Sequence, residues 1–344
     1  MKRLVLTTTS LVVAGGMAAA DVEVSGSAEL GVTGAKGADV KLHRDIRVKF
    51  GLSGETDTGL SFGASADFHN AGKYRADPGT EGAVHISGAF GTLTLGNTDG
   101  GFDKALSEVG SATSIADDHT GHAGYNGNSG LDGFTGNGGS ILRYDYSLGG
   151  VTVSASGEFG ADDSSDSTLG AGVAWSGDLG GIGIGVGIGY QTGSKEVADA
   201  ETDGVTDRHK ASIIGASVSA DMGNGFSVTG NYSSRNEDIT QNIDASGNNT
   251  TADDDEMIKI VHTGVGIAYT AGDLTVGVNA GSSTTKTALG DAGAGTDTEV
   301  KNSGTGIAVV YSLGTGVSFQ VGAGSGKKGD TKESSWSAGL AFSF

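Results

Sequence analysis

The segment that decides the fold is Ile182-Gly183-Ile184-Gly185-Val186-Gly187-Ile188-Gly189-Tyr190. Its apolar side chains alternate with glycines without a break, and successive residues of a β-strand point to opposite faces of a sheet. The segment therefore predicts a strand with one apolar face and one face almost free of side chains.

The same period of two recurs along most of the chain, in residues 60–68, 151–159, 169–175, 274–280, 307–313, 317–323 and 336–344. The face opposite the apolar residues carries mainly Gly, Ser and Thr with few charges. Such a face suits a wall that borders water inside a pore. A soluble β-sandwich would also alternate, so the connections between the runs have to separate the two folds.

These connections alternate between two classes. The short ones are Glu55–Gly59, Phe90–Thr92, Leu148–Gly150, Ser176–Gly181, Met222–Gly225, Thr270–Asp273 and Leu313–Gly316. The long ones are Gly34–Leu42, His69–Thr80, Asn97–Gly139, Gly160–Ser167, Gln191–Asp207, Ser234–Glu256, Gly281–Val300 and Gly324–Glu333. Seven short and eight long connections join sixteen strands, and this asymmetry is typical of outer-membrane proteins. We therefore predict an all-β fold, a closed antiparallel 16-stranded transmembrane barrel with short periplasmic turns and long external loops.

Aromatic residues recur where strands enter short turns, at Tyr146, Trp175, Tyr269 and Tyr311. An interfacial girdle of amphipathic rings requires that placement. Two strands do not fit a simple alternation. Ile213 and Ile214 are adjacent in one, and the apolar phase shifts within residues 257–269 of the other, so we expect a β-bulge in each.

The N-terminus predicts export. Lys2 and Arg3 precede a mostly apolar stretch, Leu4–Met17, and the small residues Ala18–Ala20 follow it. This pattern is typical of a cleaved signal peptide. We therefore divide the chain into a signal peptide, residues 1–20, and one barrel, residues 21–344.

The composition excludes several classes of function. The formal net charge of −20 argues against nucleic acid as a partner, which needs clustered Lys and Arg. The stretch Gly324–Lys328 lacks the first glycine and the Ser or Thr of a phosphate-binding loop. His119 and His122 have no apparent third metal ligand. We predict no catalytic site, no metal site and no cofactor, and the chain is not expected to be an enzyme.

Several stretches resemble those of a known family. They are Arg47–Leu60, Phe90–Gly96 and the terminal Phe344. On these residues the chain resembles the general diffusion porins of Gram-negative bacteria, and the alphaproteobacterial type in particular. The resemblance implies a sixteen-stranded barrel in the outer membrane, a homotrimer, and a third external loop folded into the lumen. It also implies passive transport of small hydrophilic solutes and ions.

A barrel of this size has a channel too wide for side chains to fill, so an inserted loop has to form any constriction. Only Asn97–Gly139 is long enough. It would contribute carboxylates to the narrowest point, which we assign to Asp99, Asp103, Glu108, Asp117 and Asp118. Asp132 lies in the same loop.

Strand parity assigns the opposite wall. Charges at lipid depth cost roughly 2–4 kcal/mol, so apolar alternates face lipid and polar ones face the lumen. This rule places five residues on the pore wall: His43, Asp45, Arg47, Lys49 and Arg143. Bases on the wall opposite acids on the loop would set a transverse field, which favours ordered water over apolar solutes and biases ion choice.

Two alternatives and two weaker expectations remain. The chain could be an exported Gly-rich structural or adhesive β-protein without a pore, or a barrel with substrate specificity or an enzymatic active site. External acidic segments, Asp162–Asp166 and Asp253–Glu256, could bind calcium weakly or contact lipopolysaccharide through divalent ions. Outer-membrane lipid and lipopolysaccharide are accordingly expected partners.

Overall fold

A computed structural model of the chain describes residues 21–71, 80–110, 112–115, 121–135, 140–159, 167–198, 206–243, 256–289 and 297–344. The signal peptide predicted for residues 1–20 lies outside these ranges. Sixteen antiparallel strands form one closed barrel in which each strand pairs with its neighbours in sequence, as the alternating connections predict. In chain order they are β1 (Asp21–Ala35), β2 (Lys41–Glu55), β3 (Ser61–Ala71), β4 (Thr80–Gly88), β5 (Gly91–Gly96), β6 (Ile141–Leu148), β7 (Val151–Phe159), β8 (Ser167–Leu179), β9 (Ile182–Ala198), β10 (Thr206–Asp221), β11 (Phe226–Ile243), β12 (Glu256–Ala271), β13 (Leu274–Leu289), β14 (Thr298–Gly314), β15 (Val317–Lys328) and β16 (Thr331–Ser343).

The barrel closes between its first and last strands. Ser27 lies opposite Ser343 and Ala35 lies opposite Ser335. Beyond the last pair, the amide of Phe344 donates to the carbonyl oxygen of Gly26 at 2.9 Å. Closure leaves no strand edge unpaired, which a β-structure in lipid requires.

The apolar alternates form the outer surface. Ile188 and Tyr190 are 57% and 51% exposed although they are large and apolar, and Tyr146, Tyr269 and Tyr311 are also exposed. An exposed apolar surface of this kind fits lipid contact. In the part of the chain that the structure describes, no helix has both the length and the apolar character needed to cross a membrane.

The strands are longer at the external end than the sequence predicts. β9 continues to Ala198, β11 to Ile243 and β13 to Leu289. β15 and β16 are joined by a tight turn at Gly329–Asp330, so the long connection predicted at Gly324–Glu333 is wrong. Above the apolar band both faces of a strand are polar, and the alternation that identifies a strand disappears although the strands stay paired.

No bulge interrupts β10 or β12 at the residues where the alternation fails, and the one register shift of β10 lies at its start, between Thr206 and Arg208. Both strands keep a continuous register through the doubtful residues, from Arg208 to Asp221 and from Glu256 to Tyr269. Ile214 is 59% exposed on the outer surface, whereas Ile213 is 5% exposed and faces inward. Parity in β12 likewise places Ile258 and Ile260 on the inner face. At Ile213 the parity rule failed because this inward apolar side chain has a protein partner, the loop described below.

Candidate functional site

The segment between β5 and β6 lies inside the barrel. Its first residues form a one-turn helix, α1 (Gly101–Ala105), which packs on β7, β8 and β9. Farther along, Val109 approaches Gly264 and Gly266 of β12, and Ile115 approaches Gly31 of β1. One loop can contact strands on opposite sides of a barrel only through the lumen. Its described residues therefore line the inner wall from β7 around to β1.

Glycines of the wall make room for this lining. A β-carbon at Gly187 would overlap the carbonyl oxygen of Ala105, and one at Gly324 would overlap that of Gly121. A β-carbon at Gly189 would lie 2.9 Å from the Phe102 ring. Gly187 and Gly189 of the alternating segment thus do more than keep the lumen smooth, because they let the loop approach the wall closely.

An apolar cluster holds the first and last parts of the loop against β10. It comprises Phe102, Leu106, Leu131, Phe134, Ala211 and Ile213. Phe102 is fully buried and Leu131 is 1% exposed. Lys195 and Arg235 stand over the Phe134 ring at 4.5 Å and 5.3 Å from its centroid. Apolar side chains in the lumen of a polar channel are explained by this packing.

Buried polar side chains of the wall fasten the loop backbone. Glu158 of β7 is 2% exposed and accepts hydrogen bonds from the Gly133 amide at 2.9 Å and the Thr135 hydroxyl at 2.7 Å. The Gln191 side chain of β9 accepts from the Leu131 amide at 2.6 Å and donates to Asp132 at 2.7 Å. These contacts satisfy loop backbone groups that water would otherwise have to reach.

The Asp132 carboxylate holds the loop in place through hydrogen bonds. Besides Gln191 it accepts from the Gly100 amide at 2.7 Å, so it joins the two ends of the loop. Burial raises the pKa of Asp132 from its usual value, and the hydrogen bonds oppose this shift.

Arg143, predicted on the open wall, is buried under the loop. Its Nη1 donates to Thr98 Oγ1 at 2.8 Å and to the carbonyl oxygen of Asp99 at 2.5 Å, while Nε contacts Asp145 at 2.9 Å. Arg143 is 8% exposed. Its geometry is that of an anchor for the beginning of the loop rather than of a charge free in the channel.

The other four predicted wall residues lie on β2, on the side of the barrel from β2 to β6. His43 contacts Glu29 of β1 at 2.9 Å, and Asp45 contacts His69 of β3 at 2.8 Å. The guanidinium of Arg47 lies 3.9 Å from Asp67 of β3 and remains 46% exposed, and Lys49 is exposed. Acidic side chains on this wall therefore lie opposite His or Arg side chains of the neighbouring strand.

Glu29, Asp67 and His69 are wall residues that our sequence analysis did not assign. The parity applied to β2 would have found them on β1 and β3.

The loop acids fall into three groups. Asp99 and Glu108 are exposed, and Glu108 accepts a hydrogen bond from the Tyr125 hydroxyl at 3.1 Å. Asp103 is partly buried in α1. Burial first, and then the nearby carboxylates of Asp99 and Asp132, raise the pKa of Asp103 to about 7. Asp117 and Asp118 lie outside the described residues, as do the acidic segments predicted to bind calcium except for Glu256.

Comparisons with known proteins agree with this geometry. The family described as Gram-negative porin matches residues 7–332. A porin of Rhodobacter capsulatus is 34% identical over 160 residues, which cover 44% of this chain and 51% of that protein, so the chain spans about half the length of this relative.

Two solved structures show the same fold. A porin structure has a TM-score of 0.63 at 22% identity and covers 94% of this chain and all of its own. OmpT, an outer-membrane protein of Vibrio cholerae in its trimer form, has a TM-score of 0.65 at 11% identity and covers 94% of this chain and 99% of its own.

Proposed function

The chain belongs to the Gram-negative porin family, and from this membership we propose that it forms a water-filled channel for passive diffusion of small hydrophilic solutes and ions. It is an integral protein of the outer membrane and not an enzyme. The observation that carries the proposal is the third loop: its described residues cover Arg143 of β6 and line the wall from β7 to β1, and they leave the charged wall of β2–β4 bare. A structural protein without a pore has no use for this arrangement.

We propose that the channel narrows between this bare wall and the exposed acids of the loop. Arg47 and Lys49 lie on the wall side, and Asp99 and Glu108 lie on the loop side. A field between the two would hold oriented water and exclude apolar solutes. Because acids occur on both sides, through Asp45 and the wall carboxylates as well as the loop, we expect a mild preference for cations.

Planar bilayer recordings test this function. The purified protein should produce stepwise, ohmic conductance, with a reversal potential under a salt gradient that favours cations. Replacing both Arg47 and Lys49 by Gln should increase that preference. An inert protein would refute the channel, whereas a conducting double variant with an unchanged reversal potential would refute only the assigned constriction.

We also propose a homotrimer, as OmpT is in its trimer form. The strands β4, β5 and β6 have nine, six and eight residues, while a transmembrane strand needs about 9–11. β5 is too short to face lipid over the full apolar band, so a second copy is the natural cover for this side. Conductance in steps of three and a single cross-linked trimer on gels are expected; a monomer that conducts alone would contradict the assembly.

Two partners from the sequence analysis stay as proposals. Outer-membrane lipid, including lipopolysaccharide, would surround the apolar band. Calcium on the external acidic segments would be weak, and isothermal titration of the purified protein with calcium chloride would measure it. The absence of a heat signal up to millimolar calcium would remove that proposal.

A further inference from the structure

A cavity lies inside the barrel on the external side of the third loop. Its volume is about 860 Å³, which is within the range of binding sites for small molecules. One side consists of the loop residues from Gly121 to Tyr125, and the other is the inner wall at the external end of β12–β16. We call this cavity the vestibule pocket, and the side chains that give it its chemistry are His122, Tyr125, Ser283, Asn302, Lys328 and Glu333.

The loop closes the vestibule pocket toward the periplasm. A β-carbon at Gly281 of β13 would overlap the carbonyl oxygen of Gly124, and one at Gly324 of β15 would overlap that of Gly121. Ser283, the next inward residue of β13 toward the external end, lines the pocket. The pocket therefore begins directly above these contacts, and a solute reaches it from the external mouth of the barrel.

Hydrogen bonds hold the polar side chains of the wall and the floor in place. The Asn302 amide nitrogen donates to Ser283 Oγ at 3.2 Å, and its oxygen accepts from the Gly329 amide at 3.1 Å. The His122 ring at the floor contacts Asn279 Oδ1 through Nε2 at 3.1 Å. A polar surface that is ordered before the solute arrives loses little entropy on binding.

Tyr125 adds an aromatic ring to this polar surface. Its hydroxyl donates to Glu108 at 3.1 Å, and its ring meets the His122 ring edge to face, with centroids 6.1 Å apart at 87°. The ring is thus held by two contacts. The face of an aromatic ring is electronegative and attracts polarised C–H groups.

The charged groups of the pocket are of both signs. Lys328 and Glu333 are exposed and occupy diagonal positions on the inner faces of β15 and β16. Neither forms an ion pair with another residue in the part of the chain that the structure describes. Of the two other lysines at the pocket, Lys36 donates to the carbonyl oxygen of Lys332 at 3.4 Å, and strand parity turns Lys332 outward. The inner wall therefore offers a charged donor and a charged acceptor side by side.

We propose that the vestibule pocket binds neutral saccharides on their way into the channel. The inference rests on the proposed channel function and names one class of solute for it. A sugar hydroxyl is both a donor and an acceptor, so one molecule can accept from Lys328 and donate to Glu333 while its C–H face lies on Tyr125. An anion would be repelled by Glu333, and a cation by Lys328. Binding has to be weak because a transported solute must also leave, so we expect a millimolar dissociation constant.

Binding is measured on the full-length barrel in detergent by saturation-transfer NMR with maltotriose as the probe. Saturable transfer to maltotriose is expected. Polyethylene glycol of similar mass enters the lumen by size alone and lacks hydroxyls along its chain, so it should show no saturable transfer. Free glycine, a small zwitterion, should not displace the sugar, because it cannot use the ring of Tyr125.

Two variants disable the pocket in different ways. Lys328→Gln with Glu333→Gln should bind maltotriose at least about ten-fold more weakly, because a hydrogen bond to a charged group contributes roughly that factor. Thr331→Trp places a large ring in the pocket from the wall of β16 and should abolish saturable binding. The matched control is Lys327→Gln with Glu299→Gln, which removes the same two charges from outward positions at the external end of β15 and β14 and should bind as the parent does.

Heat-dependent gel mobility shows whether each variant is a folded barrel. Binding of the parent strength in both pocket variants, an equal loss in the control, or displacement of maltotriose by glycine would each overturn the proposal. Conductance in planar bilayers is recorded separately, with maltotriose added at the external side. A channel that conducts but binds no maltotriose refutes the vestibule pocket alone, whereas a barrel that binds the sugar but does not conduct refutes the channel.

Discussion

Phe102→Ala removes the side chain on which loop docking depends most. The Phe102 ring is fully buried between the loop and the wall. It contacts the positions of Gly189 and Gly215, where added β-carbons would lie 2.9 Å and 2.7 Å from ring atoms. The substitution leaves the hydrogen bonds between strands untouched. We therefore expect the substitution to destabilise the docking of the loop and not the barrel itself.

The magnitude follows from burial. Truncating a fully buried phenylalanine to alanine costs about 3–5 kcal/mol, and each 1.4 kcal/mol is about a factor of ten in an equilibrium constant. The fraction of molecules with a detached loop should rise by a factor of about one hundred to a few thousand. The polar contacts of Glu158 and Gln191 remain and keep the docked state populated. Single channels should conduct more and show added open-state noise.

Thiol labelling measures detachment directly because the chain has no cysteine. Val109 is 4% exposed against the wall of β12, so Val109→Cys supplies a protected reporter. Its labelling by a small maleimide should accelerate at least a hundred-fold with Phe102→Ala. The control is Phe319→Ala, a truncation of the same size on the outer surface. Labelling and conductance within two-fold of the parent would refute the reasoning that this cluster holds the loop.

Three further predictions concern the fastening and charge of the loop. Because the pKa of Asp103 is raised to about 7, its carboxylate ionises between about pH 6 and 8, and the reversal potential should shift toward cation preference over that range. The raised pKa means that the docked loop favours protonated Asp103. Docking of the loop should therefore weaken as the pH rises from about 4 to 7. Asp103→Asn should flatten both profiles, and profiles identical to the parent's would rule out this group. Glu158→Gln replaces a buried acceptor of two hydrogen bonds and should weaken docking by about 1–3 kcal/mol, seen as faster thiol labelling at Val109→Cys; an unchanged rate would contradict the role of Glu158. Arg143→Gln removes an anchor of the loop and should therefore raise channel noise more than it shifts the reversal potential. A shift of the reversal potential without added noise would instead indicate that Arg143 acts as an uncovered charge on the channel wall.

The inward isoleucines show where sequence reasoning stops. Ile213 and Ile214 are adjacent, and the sequence alone offered only lipid as an environment for apolar residues. A bulge was the available explanation, and it was wrong. Ile213 belongs to one buried cluster with Phe102 and Leu131, residues far away in sequence, so its environment exists only after the loop has folded back. The burial of Arg143 also depends on the loop. Strand parity predicts that its side chain points inward, but only the folded loop covers it.

Periodicity and the spacing of turns determined the strand number, the barrel and the split between outer and inner faces, because in lipid every strand must pair and every outward side chain must be apolar. They also placed His43, Asp45, Arg47 and Lys49 on one wall. Tertiary structure alone decided the path of the loop, since its contacts join residues more than half the chain apart, such as Thr113 and Gln320. It also decided how far the strands continue above the membrane, where water on both faces removes the alternation. The glycines of Ile182–Tyr190 identified a strand from the sequence, and the structure added a reason for glycine at Gly187 and Gly189, which is the close approach of the loop.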